Sequence, residues 1–316
     1  MNKVKIFIDT NILEDINKKL YEFKFNEIYE KLKKFIKYNR YDNFHIMVPQ
    51  IAILEIKKHY IEEFERIDSS LKEIDNKYNK IESDLQTIGY EFEIEKNRYK
   101  DIKEFEAYFE DIFNQYIEQE KDNFEIIPLP NESRFHKIIE RAIKKEHPFF
   151  GGNMKAKKVS DAGFKDVVFL ESIVEKMEEE ENNVEYIIIT KDNIVNGLNW
   201  TKEIEGKNGK SINYSSSGEI INFICEEYEL EDLADYIEFS ETEYFKEKIL
   251  TALNKSELVQ NSQKVSIVEN EDGDKFIEVE CTIKNGEENV NVIVILDSTK
   301  EFINISDINH EIIYQW

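Results

Sequence analysis

Cysteine is nearly absent from this sequence: Cys225 and Cys281 are the only two in 316 residues. They stand far apart, in a helix-like and a strand-like stretch, so a disulfide framework is excluded and two buried thiols are expected. Long apolar runs are also missing. No stretch approaches the roughly 18–20 apolar residues of a membrane span, and the start MNKVKIF lacks the apolar core and cleavage site of a signal peptide. A cytoplasmic protein without membrane partners is therefore expected. Positive charge is scarce as well: 42 Lys and Arg face 67 Asp and Glu, for a net charge of −25. That balance argues against a protein coated in nucleic acid, because phosphate binding needs local positive potential. The lone His59 and His147 lack metal-ligand spacing, so structural or surface roles are expected for them.

What is present is a folded chain. Hydrophobic residues make up 41% and aromatics 12%, enough for one large or two modest domains with real cores. The charge is uneven. Residues 1–60 hold 12 Lys or Arg against 8 Asp or Glu, a balance of +4, so the other 256 residues carry −29.

Hydrophobic periodicity predicts a short buried strand at 3–8 and a helix over 12–38. A second strand follows at 44–49, stopped by Pro49, with helix from residue 50 onward. Strand, helix, strand, helix opens a parallel α/β sheet. An insertion then interrupts it. Apolar residues at 67, 71, 74, 78, 81, 85 and 88 alternate steps of four and three, and Tyr99, Ile102, Phe105, Phe109, Phe113 and Ile117 form a second stripe. Residues 60–122 read as an antiparallel helical hairpin whose stripes satisfy each other, or as a dimerising coiled coil. The core resumes at 126–130, a helix runs through Arg134 to Ala142, and HPFFGGN reads as a loop. FKDVVFLESIVEKM (164–177) is an amphipathic helix, YIIIT (186–190) a buried strand, and 219–228 a helix. After about residue 240 comes a helix near 241–255, then alternating segments broken by Asp272-Gly273 and Asn285-Gly286, the pattern of a small antiparallel β meander. Residues 1–240 are thus expected as the α/β domain and 241–316 as a helix plus β module. The acidic hairpin and the C-terminal module could each bind a protein partner, and the hairpin, read as a coiled coil, would form a homodimer.

Four acids stand out by position. Asp9 ends the first strand, Glu55 lies in the helix after the second, Asp166 opens the helix after the Gly-rich loop, and Asp192 follows YIIIT. In an open parallel sheet such positions gather along one edge, where ligands bind. Carboxylates converging without His or Cys specify a hard cation, Mg²⁺ or Mn²⁺, which commonly activates water against phosphates.

The pieces IFIDTNIL, VPQIAILEI, GFKDVVFLESI and YIIITKDN, in that order, resemble the PIN domain, a metal-dependent nuclease fold. A basic helix residue (Arg134 or Arg141), then Pro148-Phe149 and Gly163-Phe164-Lys165-Asp166, is similar to the PIN-like subgroup with a long helical insertion. The resemblance covers roughly 1–60 and 125–230. It implies a PIN-like parallel sheet flanked by helices, and phosphodiester hydrolysis, most often of RNA, in a toxin, defence or RNA-processing role. It further implies that Asp9, Glu55, Asp166 and Asp192 hold one or two divalent ions, with Asn11 and Thr190 orienting the carboxylates.

Each assignment has a plainer reading beside it. Asp9 could cap a helix, Glu55 could belong to a solvated face, and Asp192 could form a turn. Asp161 reads as a cap that could also join the site through water. Lys155, Lys157, Lys158 and Lys165, with Arg134 and Arg141, offer contacts to the substrate backbone or simply solvated charge. A haloacid dehalogenase type phosphatase also opens with a strand ending in Asp, but it needs a second Asp where this chain has Asn11. A DNA-directed nuclease with the same site would carry the same motifs, and so would a PIN-like scaffold that binds protein partners.

Overall fold

The structure, a computed structural model, describes residues 2–15, 17–39, 41–87, 101–149, 163–180, 183–191, 198–212, 216–254, 263–270, 273–285, 288–309 and 311–316. In chain order the elements begin β1 (Lys3–Ile8), α1 (Thr10–Leu13), α2 (Glu27–Tyr38), β2 (Phe44–Pro49), α3 (Gln50–Thr87), α4 (Ile102–Glu120), β3 (Phe124–Ile127) and α5 (Glu132–Lys144). They continue with α6 (Phe164–Glu179), β4 (Val184–Ile189), α7 (Leu198–Glu205), β5 (Gly209–Ile212), α8 (Ser217–Tyr228), α9 (Ala234–Glu241) and α10 (Glu243–Ala252). The strands β6 (Lys264–Glu269), β7 (Lys275–Asn285), β8 (Glu288–Leu296), β9 (Phe302–Ser306) and β10 (Ile312–Gln315) complete the chain. Two units result, residues 1–30 with 43–220, and residues 31–42 with 221–316.

The first unit holds a five-stranded sheet in the order β3-β2-β1-β4-β5, with every neighbouring pair parallel. β1 lies at its centre, and Val4, Ile6, Phe7 and Ile8 are completely buried, the apolar run expected of a strand covered on both faces. Phe7, Met47, Tyr186 and Ile188 from the strands pack with Val167, Leu170 and Val174 of α6 and with Trp200 of α7 in one core. The chain lays β2 and β3 on one side of β1, then crosses over to place β4 and β5 on the other. A sheet wound this way leaves a crevice at the carboxyl ends of β1 and β4.

The helix expected over 12–38 is two helices, and the described residues between them are irregular, with a turn at residues 20–21. Phe23 and Phe25, two residues apart, both turn inward. Phe23 meets Tyr60, Phe109 and Phe113, with ring centroids 4.8–5.9 Å apart, and Phe25 meets Tyr29 and Phe124. Helical spacing would separate those rings by about 200° around the axis, so their joint burial outweighs helix propensity here. Asn26 fixes the segment's end: its amide side chain donates to the Glu14 carbonyl at 3.1 Å, and its oxygen accepts from the Ile28 amide at 3.0 Å.

The insertion begins inside α3, which runs unbroken from residue 50 to 87. α4 lies antiparallel to it: Phe105 stacks on Phe64 at 4.2 Å, Phe109 on Tyr60 at 4.6 Å, and Glu110 pairs with Lys57 at 2.7 Å. The two helices pair at the base of α3, so the 67–81 stripe is not the partner of the second stripe. Ile74, Tyr78 and Ile81 remain 44–49% exposed. Residues 88 and 99 of the expected stripes fall outside the described residues, and the side chain of Leu85 is likewise not described.

The second unit contains the expected meander, an antiparallel sheet in the order β10-β9-β8-β7-β6. Ile277, Val279, Cys281 and Ile283 face inward against Phe245 and Ile249 of α10. Burial pushes the Cys281 thiol up to about 12. The helices α9 and α10 belong to this unit, which therefore begins before residue 241: Phe239 of α9 packs on Phe245 and Phe302 with centroids 5.7 and 6.0 Å apart. Among the described residues no helix is long and apolar enough to cross a membrane.

Candidate active site

Asp9 is the first residue beyond β1. Its amide donates to the Ile189 carbonyl at 3.0 Å, one more rung of the β1–β4 ladder, which carries it into the crevice at the strand ends. Its backbone is extended, and its Oδ1 accepts from the Thr10 amide at 2.7 Å, so it does act as the N-cap of the one-turn helix α1. The cap leaves Oδ2 for a second bond. That oxygen accepts from the Thr190 hydroxyl at 2.7 Å, and the residue is 9% exposed. A buried charge held by a donor on each oxygen is fixed in orientation.

Of the two residues expected to orient carboxylates, Thr190 bonds Asp9, whereas Asn11 bonds a backbone amide. The Asn11 side-chain oxygen accepts from the Lys191 amide at 3.1 Å, tying α1 to the segment after β4. Glu55 lies in the second turn of α3. Its Oε2 accepts from the Thr10 hydroxyl at 2.9 Å, so Thr10 bridges the Asp9 and Glu55 carboxylates, giving its amide to one and its hydroxyl to the other. Lys165 reaches Glu55 Oε1 with its ammonium. Asp166, half-buried in the first turn of α6, follows it, at the helix end that favours a negative charge.

Gly163 sets the start of α6. Its φ is +84°, and an added Cβ would run into the Pro148 carbonyl, lying 2.9 Å from its carbon. Only glycine fits this close approach in a left-handed conformation. Pro148 and Gly163, both in the sequence motif, are thereby in contact, and α6 presents Lys165 towards Glu55.

The two arginines are placed elsewhere. Arg134 Nη1 lies 2.9 Å from Glu171 Oε2 and its other nitrogen contacts Glu178. Arg141 bonds Glu171 Oε1 at 2.8 Å, Glu146 at 3.1 Å and Glu203 at 2.7 Å, and stacks over Trp200 at 4.0 Å. Glu171 is completely buried, so this cluster joins α5 to α6 from within. Both guanidiniums are committed there, which argues against the expected contact with the substrate backbone. Asp192, Asp161, Lys155, Lys157 and Lys158 lie outside the described residues.

Sequence reasoning passed over Thr10 and expected only a structural or surface role for His59. Thr10 sits between Asp9 and Asn11, and the signal was a hydroxyl between two residues already assigned to the site. His59 lies one helical turn after Glu55, with Nε2 3.8 Å from Glu55 Oε1 and Nδ1 3.0 Å from Glu14. Burial pushes the Glu14 carboxyl up, but His59 and Lys18, the latter at 3.0 Å, outweigh it and hold Glu14 below its ordinary value.

The donor chemistry fits a hard divalent cation. Asp9, Glu55 and Asp166 offer only oxygens, and a positive group, the Lys165 ammonium, already stands on one of them. Among the described residues no three His, Cys, Asp or Glu come close enough together to hold a metal by themselves.

A family model described as PIN domain matches residues 6–194, and PIN domains are in general metal-dependent nucleases. Neither the curated proteins nor the solved structures yield a match. With 189 of its 316 residues inside that match, the chain belongs to the PIN-domain family.

Proposed function

We propose that this chain is an endoribonuclease that hydrolyses phosphodiester bonds with Mg²⁺ or Mn²⁺, in a toxin, defence or RNA-processing role within the cytoplasm. One observation carries the reading: a buried aspartate at the switch point of a parallel sheet, fixed by Thr190 and joined through Thr10 to Glu55. Asp9, Glu55, Asp166 and Asp192 hold the cation, which when bound lowers the pKa of water and takes up charge developing on the phosphate. Thr190, Thr10 and Asn11 keep the carboxylates oriented, so little reorganisation is needed when substrate arrives. Lys165 supplies positive charge for the phosphate in a chain that is otherwise strongly acidic.

The test is cleavage of mixed RNA and of single-stranded DNA by the full chain with Mn²⁺ or Mg²⁺. RNA should be cut and DNA spared, and Asp9→Asn and Asp166→Asn should each abolish cutting. DNA cut equally well would make the chain a DNA-directed nuclease too, and full activity in both variants would overturn the site. A second reading, a PIN-like scaffold for a protein or a second copy of the chain, draws on the exposed Ile74, Tyr78 and Ile81 of α3. It predicts no cleavage and no change of melting temperature with Mn²⁺.

A further inference from the structure

Both oxygens of Glu55 are engaged: Oε2 by the Thr10 hydroxyl and Oε1 by the Lys165 ammonium, with His59 3.8 Å from the same Oε1. The pair is secluded, since the Glu55 and Lys165 side chains are 21% and 23% exposed. Lys165 is also the immediate neighbour of Asp166, so one short stretch of α6 carries both a carboxylate for the proposed cation and an ammonium on another of its carboxylates. A divalent ion and an ammonium within about 4 Å of one another repel strongly in so secluded a place. They cannot share Oε1.

We infer that Lys165 is an internal counter-ion that exchanges with the metal: it holds Glu55 while the site is metal-free and leaves Glu55 when the cation binds. The inference rests on the proposed reading of Asp9, Glu55 and Asp166 as the cation's ligands. The metal-free pair keeps Glu55 paired with a positive group beside the buried Asp9, which lowers the cost of holding carboxylates together. Lysine suits this exchange better than arginine, because its ammonium is a compact charge on a flexible stem and makes no bidentate fork with the carboxylate. Once displaced, the ammonium, carried on a flexible stem from the first turn of α6, is available to a phosphate that approaches the site. Metal binding thereby frees a substrate contact, and by linkage substrate binding favours the metal-bound form to the same degree.

Two measurements on the full chain test this, and neither reads activity. In calorimetric titration with Mn²⁺, Lys165→Gln should bind the ion about fivefold or more tightly than the unmodified chain, since the competitor is gone. Lys165→Met serves the same purpose should the glutamine fold poorly, and melting curves in EDTA verify folding. A pair that merely braces the site predicts the opposite, weaker binding in the variant. Acetic anhydride labelling read by mass spectrometry should show Lys165 modified several-fold faster at saturating Mn²⁺, with Lys176 as the internal reference. Unchanged or weaker Mn²⁺ binding in Lys165→Gln, or unchanged labelling, overturns the exchange while leaving the site assignment standing. No Mn²⁺ binding by either the unmodified chain or the variant overturns both.

Discussion

The Thr190 hydroxyl donates to Oδ2 of Asp9 at 2.7 Å, across a gap of 181 positions in the chain. Both groups are buried, so the bond is made where water cannot replace it. Thr190→Val keeps the shape and removes the donor. The expected cost is about 1–3 kcal/mol in urea unfolding, from a charged acceptor that loses a donor. Initial cleavage rates should fall by more than about tenfold, because Asp9 is then free to turn about the Thr10 amide. A variant as stable and as active as the unmodified chain would show that the bond orients nothing.

Glu171 is the carboxylate that Arg134 and Arg141 share. Glu171→Ala leaves one buried and one partly buried guanidinium short of a partner and should cost about 3–5 kcal/mol. Denaturant midpoints measured at neutral pH decide it. A loss under about 1 kcal/mol would mean that the arginines re-pair and are open to other ligands.

Gly163→Ala meets both a positive φ and the Pro148 carbonyl. A loss of about 2 kcal/mol or more is expected. Because α6 starts at this residue, Mn²⁺ affinity should fall along with stability. Retention of both would mean that the loop before α6 yields freely.

Glu180 titrates far from the crevice, at the other end of α6. Burial pushes its carboxyl up, yet contacts with Lys5 and Lys176 prevail and hold it below its ordinary 4.5. A folded-state pKa below the unfolded one gives stability that is fully present above about pH 4.5 and lost as pH falls through the folded value. Glu180→Gln should therefore be less stable than the unmodified chain at pH 7, since Lys5 is buried and loses its main partner. The gap to the unmodified chain should close below pH 4.5. A gap independent of pH would place the effect in packing instead of charge.

The strands were legible because burial on both faces writes itself as continuous apolar runs, as in KVKIFI and YIIIT. Alternation with Glu278 and Glu280 did the same for the meander. Where reading failed, a tertiary contact outbid a local pattern. Phe23 and Phe25 looked like members of a helix until the rings of α3 and α4 gave both a place to go. The first stripe of α3 looked like the partner of α4, yet pairing is fixed lower down, by Phe64 and Tyr60. α7 and β5 are too short, at 8 and 4 residues, to carry a period at all. Around the site, single acids at strand ends were legible from position. The bridging role of Thr10 and the capture of both arginines by Glu171 depend on where other segments arrive, which no local pattern states.

The strand order has a consequence for biosynthesis. β1 gains β2 as a neighbour once residue 49 has been made, but its other neighbour, β4, is complete only at residue 189. At about 5–20 residues per second, the intervening 140 residues take a ribosome roughly 7–28 s. Throughout that interval the central strand of the sheet has one bare edge, the kind of surface that recruits another chain. The helical insertion, lying between β2 and β4, lengthens the wait, so a newly made chain is open to wrong pairing through nearly half of its own synthesis.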